Sequence, residues 1–350
     1  MTLLPTKTIA AILVEQKKKL VITEIDLPKK LDVGQTLVKI SYSGICGSQI
    51  GEIDGVKGID KWLPHLLGHE GSGKVLSIGP GVKFVNPNDK VVLHWKASKG
   101  IESSNPIYNW NGIKVNAGLV TTFNQYAIVS ENRLTKIDKN VDLKTAALYG
   151  CSITTGFGVI DNKAQLRLGE NIVVFGAGGV GLNIVQAAAL AGANKIIAVD
   201  MYDHRLSLAK NCGATSIINA NKENACQLII EIMKNDTLDV FIDNTGNPEI
   251  ISAGYKLVGE KGRVILVGVP KIGQLSSFDT LPLHFGKSIT GTHGGEASPD
   301  KDIPRYMTLI NNRGINLDSL ISEVNPLKKI NEMVGRMRIG ESTGRCLIKF

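Results

Sequence analysis

The sequence predicts an α/β chain with two kinds of structure: an antiparallel, barrel-like first part to about residue 150, then a parallel sheet layered with helices. Three observations predict this. Short β-like runs separated by turn residues fill the first part. From about residue 153, apolar strands alternate with helical stretches, the pattern of βαβ units. The first of those strands runs into a glycine-rich turn that opens a helix.

Taken in order, the strands predicted in the first part are Thr8–Glu15, Leu20–Glu24, Thr36–Ser43, Gly71–Ile78, Lys90–Leu93 and Gln125–Ser130. Asp32-Val-Gly, Gly79-Pro-Gly and Asn86-Pro-Asn-Asp are the turn signals between them. The run Lys17-Lys18-Lys19 lies between two apolar segments and reads as a solvated hairpin turn. In the second part, Asn171–Phe175 is a buried strand, followed by a helix of small apolar residues through Ala191. Strand Lys195–Val199, a helix near Arg205–Asn211, strand Ser216–Ile218, a helix near Asn224–Lys234, and strands Leu238–Ile242 and Arg263–Val267 come next. The last fifty residues hold one clear helix near Ile303–Asn311 and a final strand, Cys346–Phe350, that returns to the first part.

Composition bounds the function. A chain of 350 residues exceeds what one hydrophobic core serves, so two domains are expected. With 43% hydrophobic and 21% charged residues it is an ordinary globular composition. The formal charge, 40 − 32 = +8, is spread thinly; it suits an anionic ligand such as a dinucleotide, and no nucleic-acid-binding motif accompanies it. Five cysteines, an odd number, form no disulfide framework and fit a reducing cytoplasm. No secretory leader is read at the start, because the apolar run Ile9–Val14 is six residues long and the lysines follow it. No stretch is long enough to span a bilayer, so neither nucleic acid nor membrane is an expected partner.

Val173-Val-Phe-Gly176-Ala-Gly178-Gly179-Val180-Gly181 carries the G-x-G-x-x-G spacing after a strand and at the opening of a helix. The first glycine makes the turn, the second lets a pyrophosphate approach the backbone, and the third lets helix and strand pack closely. Asp200 ends the next strand, nineteen residues after Gly181. A carboxylate there accepts hydrogen bonds from ribose hydroxyls and repels a 2′-phosphate, which favours NAD over NADP. Arg205, five residues on, lies near the expected adenosine and leaves some tolerance for NADP.

Cys46, His65, His69, Glu70, His94 and Cys151 are the candidate metal ligands. None forms a close pair, and spacing alone leaves a metal site and ordinary core residues both open. The motifs Gly44-x-Cys46-Gly-Ser, Gly68-His69-Glu70-Gly-x-Gly, Gly150-Cys151-x-x-x-Thr155-Gly and Gly176-x-Gly-Gly-x-Gly181 occur in that order, with Val267-Gly-Val-Pro and Gly340-Glu-Ser to Phe350 near the end. Together they resemble the medium-chain zinc alcohol dehydrogenases, from about residue 8 to the C-terminus.

The resemblance implies a GroES-like catalytic domain over 1–152, an inserted Rossmann domain over 153–293 and a return to the catalytic domain over 294–350. It implies one catalytic zinc held by Cys46, His69 and Cys151, with Ser48 taking the alcohol proton and Glu70 as a carboxylate near the metal. Thr155 and Val180 match positions at the nicotinamide, Val267 another cofactor position, Arg345 an arginine at the pyrophosphate, and Trp95 a substrate-lining position. A homodimer is implied, with a homotetramer as the alternative.

Three positions depart from the family pattern. Gln49 stands where an aspartate usually orients the zinc histidine, and Gly51 where many relatives end a proton relay in histidine. The segment from His94 to Gly118 lacks the four cysteines that hold a structural zinc in relatives, so no structural zinc is expected. Trp95, Tyr108 and Trp110 in that segment suit either a sugar-like ring or the anchoring of a long loop. His65, His94, His204 and His284 read as hydrogen-bonding or surface residues, and Cys212, Cys226 and Cys346 as ordinary thiols.

The function expected is NAD-linked, zinc-dependent oxidation of an alcohol, secondary and sugar-like or a cyclitol. The alternatives are a glutathione-dependent formaldehyde oxidiser, a zinc-free quinone or enoyl reductase, and a non-enzymatic nucleotide-binding protein.

Overall fold

The structure, a computed structural model, describes residues 4–350. In chain order the elements are β1 (Lys7–Leu13), β2 (Val21–Asp26), β3 (Gln35–Ile45), α1 (Gly47–Ile53), β4 (His65–Leu66), β5 (Glu70–Ile78), β6 (Lys90–His94), β7 (Ile107–Trp110), β8 (Ile113–Asn116), β9 (Tyr126–Ser130), β10 (Leu134–Lys136) and α2 (Leu143–Ala146). Then come α3 (Ser152–Gly158), β11 (Ile172–Phe175), α4 (Gly179–Leu190), β12 (Ile196–Asp200), α5 (Asp203–Asn211), β13 (Ser216–Asn219), α6 (Ala225–Met233), β14 (Val240–Asp243), α7 (Pro248–Leu257), β15 (Arg263–Leu266) and β16 (Ser288–Gly291). The chain ends with α8 (Pro299–Asn312), β17 (Ile321–Pro326), α9 (Ile330–Arg338) and β18 (Arg345–Lys349). Two compact units result: residues up to Cys151 together with Ser298–Phe350, and Ser152–Ala297.

In the first unit, β1, β2, β7, β8 and β4 close into a barrel. Closure leaves no strand edge open to pairing. Lys17 takes a φ of 65° in the β1–β2 turn, with Lys18 and Lys19 exposed. The β7–β8 turn is Asn111-Gly112, with φ of 50° and 86°, the two left-handed residues a tight hairpin requires. Ala10, Ile12, Ile25, Tyr108 and Val115 fill the barrel interior. A second sheet runs β10-β6-β5-β3-β18-β17, with β9 also paired to β3. The last strand, β18, lies antiparallel to β3 through Cys346↔Ile45, so the final residues complete a sheet begun by the first part. Helix α9 buries Ile330, Met333 and Val334, at helical spacing, against Leu13, Ile45, Ile53 and Phe123.

The second unit is a six-stranded, wholly parallel sheet in the order β13-β12-β11-β14-β15-β16. Its central strands read as near-continuous apolar runs, such as Ile172-Val173-Val174 and Ile196–Val199, because both faces are covered. Strand order reverses between β11 and β14, and ligands bind at the carboxyl ends of strands at such a switch point. Arg263 on β15 holds Glu170, ahead of β11, through Nη1 at 2.9 Å and Nη2 at 2.5 Å.

Several elements escape the sequence reading. Helix α7 is announced by Asn247-Pro248: the Asn247 side chain accepts the Glu249 N–H at 2.9 Å, and the proline sits in the first turn. The β7–β8 hairpin is announced by Asn-Gly. The short α1, with glycine at two of its seven positions, and the half-exposed β16 and β17 carry little periodicity of their own.

Candidate functional site

Three turns of the first unit converge. Cys46 follows β3 and caps α1, His69 immediately precedes β5, and Cys151 follows α2 through a single 3-10 turn. Cys46 and Cys151 are buried, and the two sulfurs and an imidazole nitrogen lie within 4.8 Å of one another. Two motif glycines make this packing possible. A Cβ on Gly44 would stand 2.3 Å from Glu70 Oε1, and one on Gly150 would stand 2.3 Å from Leu93 O and 2.8 Å from Glu70 Cα. A side chain at Gly150 would press on the backbone of β5 beside His69, and one at Gly44 would displace the buried Glu70 carboxylate.

The charges around the triad are arranged for thiolates. Hydrogen bonding from Cys151 lowers the Cys46 thiol well below its ordinary range against the opposing effect of burial, helped by the Arg345 guanidinium. The same bond and burial raise Cys151, so one proton is shared with Cys46 as the thiolate. Glu70 is fully buried and forms an ion pair with Arg345 Nε at 3.1 Å. Burial opposes the Arg345 charge, but Glu70, Cys46 and Cys151 outweigh it and raise its affinity for the proton.

The imidazole of His69 is held by Gln49, whose Nε2 meets His69 Nδ1, and edge-on to Trp95 with ring centroids 6.4 Å apart. His69 Nε2 is buried and faces the sulfurs, with no nitrogen or oxygen partner. Two thiols and a buried imidazole nitrogen are a donor set that fits zinc, and three protein ligands leave a fourth position for water or substrate. A second group with ligand-type atoms, Glu52, Asp60 and His65, is differently committed: His65 Nδ1 donates to Leu66 O at 2.9 Å and Nε2 lies 2.7 Å from Asp60 Oδ2.

Beside the triad opens a cavity of about 420 Å³ bordered by Gln49 and His69. Glu52, His65, Asn105, Lys114 and Asn116 supply its polar wall and Trp62 an aromatic one. Lys114 and Asn116 come from β8, which the sequence reading passed over. Ser48 is exposed in the first turn of α1, two residues from Cys46. The aromatic residues of the cysteine-free segment fall in two places. Tyr108 and Trp110 anchor the hairpin in the barrel core, while Trp95 stands at the triad. His94 is buried, with Nδ1 donating to Lys96 O at 2.8 Å and Nε2 bonded to Thr135 Oγ1 at 2.9 Å.

Arg345 has partners of its own within the first unit. The side chain of Arg345, the residue matched to a pyrophosphate position, donates through Nη1 to Ile45 O at 3.1 Å and pairs through Nε with Glu70. A guanidinium surrounded by a carboxylate and two thiols has its charge compensated there.

In the second unit, Gly176 has a φ of 97° and turns the chain from β11 towards α4. A Cβ on Gly181 would lie 1.9 Å from Gly176 O, so the helix can pack on the turn only without one. Gly178 caps α4 and has open space around its missing Cβ, the opening a phosphate needs; Gly179 and Val180 follow, half-buried, in the first turn. Asp200 is buried: Oδ2 accepts the Ala177 N–H at 2.8 Å, and Oδ1 accepts those of Met201 at 2.8 Å and Tyr202 at 3.1 Å. The carboxylate expected at the ribose therefore also ties the glycine turn to the end of β12. Arg205 Nη1 lies 3.9 Å from Asp200 Oδ1, with its guanidinium over the Tyr202 ring at 4.7 Å. Thr155 is buried in α3, and Val267, just past β15, donates its N–H to Asp243 O at 2.7 Å.

Comparison with known proteins matches these two architectures. Residues 32–139 match the alcohol dehydrogenase GroES-like domain, and residues 179–312 the zinc-binding dehydrogenase domain. The chain is 30% identical to alcohol dehydrogenase 6 of Peromyscus maniculatus, over 97% of this chain and 96% of that protein. It is 29% identical to S-(hydroxymethyl)glutathione dehydrogenase of Paracoccus denitrificans, over 96% and 98% of the two chains. The crystal structure of benzyl alcohol dehydrogenase from Acinetobacter calcoaceticus superposes with a TM-score of 0.88 at 29% identity, covering 98% of this chain and 99% of that one. The chain belongs to the medium-chain, zinc-dependent alcohol dehydrogenase family and is an NAD(P)-linked oxidoreductase of small-molecule alcohols.

Proposed function

We propose that this protein oxidises a secondary, sugar-like or cyclitol alcohol with NAD, using one zinc per chain held by Cys46, His69 and Cys151. The observation that carries the substrate class is the cavity beside His69, whose wall of amides, Lys114 and Glu52 offers hydrogen bonds to several hydroxyls at once. A purely apolar or benzylic ring would leave those groups unpaired. Zinc at the triad would act as a Lewis acid towards the alcohol oxygen, and the nicotinamide would accept the hydride.

The chain's own groups orient and relay. Gln49 and Trp95 fix the His69 ring, and Arg345 balances Glu70 beside the thiols. Ser48, exposed next to Cys46, takes the alcohol proton, and with Gly51 carrying no side chain the proton continues to water. Asp200 disfavours a 2′-phosphate, supporting NAD over NADP. The exposed Leu281 and Phe285, near the edge strand β16, support a homodimer formed through that sheet edge, and five free cysteines support a reducing, cytoplasmic setting. Among the described residues, no helix is long and apolar enough to cross a membrane.

Metal analysis combined with NAD and NADP reduction over a panel of polyols, cyclitols and primary alcohols tests this reading. Polyols or cyclitols should be oxidised fastest, with NAD, and Cys46→Ala and Cys151→Ala should each abolish activity and zinc content. A protein purified without zinc, and inactive after zinc is restored, would refute it. The relative named S-(hydroxymethyl)glutathione dehydrogenase supports a second reading, formaldehyde oxidation; activity on formaldehyde only with glutathione present would establish that instead.

A further inference from the structure

Gln49 is 2% exposed and touches two of the three candidate ligand residues at once. Its Oε1 accepts the backbone N–H of Cys46 at 2.9 Å, and its Nε2 meets Nδ1 of His69. A backbone N–H can only donate, so the oxygen end of the amide belongs to Cys46 and the NH2 end faces the imidazole. An NH2 group can only donate, so Nδ1 must present its lone pair. A neutral imidazole then carries its proton on Nε2, the nitrogen left to face the thiols.

Ligation through Nε2 needs the opposite tautomer, with the lone pair on Nε2 and the proton on Nδ1. Two donors then meet at Nδ1. Turning the amide over repairs that contact and places NH2 against the Cys46 N–H, so one donor is still opposed. The amide's single oxygen is then the only acceptor for two donors, the Cys46 N–H and the Nδ1–H, and must be shared between them once the histidine is a ligand. A carboxylate, with two acceptor oxygens, serves both.

We propose that Gln49 is a positioning residue that holds His69 in the tautomer unsuited to ligation, so that this protein binds zinc more weakly, and exchanges it more readily, than a carboxylate at position 49 would allow. This rests on the zinc reading above and concerns affinity, which that reading leaves open.

The test partitions zinc between the full-length protein and a chromogenic chelator at equilibrium, for the wild type and Gln49→Glu. Gln49→Glu should bind zinc about 10-fold or more tightly, the scale on which groups supporting metal ligands act. A long-range 1H–15N spectrum of the zinc-free wild type should show His69 protonated on Nε2, the signal being assigned by its loss in His69→Gln. Equal affinities within a factor of two, or a wild-type His69 protonated on Nδ1, would overturn the role of Gln49 while leaving the zinc site standing. Zinc bound by neither protein would overturn the metal reading and this inference with it. If Gln49→Glu does not fold, the wild-type spectrum alone decides.

Discussion

Arg345 Nε and Glu70 Oε1 stand 3.1 Å apart with both side chains almost wholly removed from solvent, an ion pair between the first residue of β5 and the first residue of β18. Residues 275 positions apart (345 − 70) thus meet at one buried charge pair beside Cys46 and Cys151. Removing one partner strands the other in the interior, which costs more than the pair itself contributes.

Arg345→Met should therefore lower stability by about 3–5 kcal/mol. Glu70→Gln, which leaves the guanidinium facing an amide oxygen, should cost less. Urea unfolding of both variants checks the order; an Arg345→Met midpoint equal to that of the wild type would show that the pair is not buried in solution.

His94 confers a pH dependence. Burial lowers its pKa to about 4 from an ordinary 6.5. Because the folded value lies below the unfolded one, its contribution is fully present above about pH 6.5 and is lost as the pH falls towards 4. The loss amounts to roughly 3 kcal/mol if the whole shift is realised. His94→Gln should flatten the stability profile between pH 6.5 and 4, measured by denaturant unfolding at each pH.

Asp200→Ser should act on cofactor choice and stability together. The ratio of kcat/KM for NADP to that for NAD should rise about tenfold or more, because the charge that opposes a 2′-phosphate is gone. Loss of an acceptor for three backbone N–H groups should also lower the Tm, at a cost of about 2 kcal/mol. Kinetics with both cofactors and a melting curve separate the two effects.

Tyr108→Phe removes the hydroxyl that accepts the Ile128 N–H at 2.8 Å inside the barrel. A buried amide left unpaired should cost about 1–2 kcal/mol, with zinc content unchanged. Chemical denaturation and metal analysis of the same preparation check both halves.

The second unit was legible because parallel strands are buried on both faces and must be continuously apolar. Ile172–Val174 and Ile196–Val199 announce themselves, and the glycine turn supplies its own mechanism. The triad was legible only through resemblance, since Cys46, His69 and Cys151 come from three separate turns and share no spacing rule. The Asn111-Gly112 and Asn247-Pro248 signals lay in the sequence unread. What no local pattern could supply was pairing across distance. Gln49 reaching His69, Arg345 meeting Glu70, and Lys114 reaching the same cavity as His65 depend on how barrel and sheet close.

The β7–β8 hairpin closes the barrel through carbon packing and a tyrosine hydroxyl, in the segment where relatives with a structural zinc carry cysteines. The shape of this hairpin thus rests on buried side chains of its own, in a segment from His94 to Gly118 that holds no cysteine. A chelator added to such a chain should therefore leave this hairpin standing, as a rivet rather than a clasp.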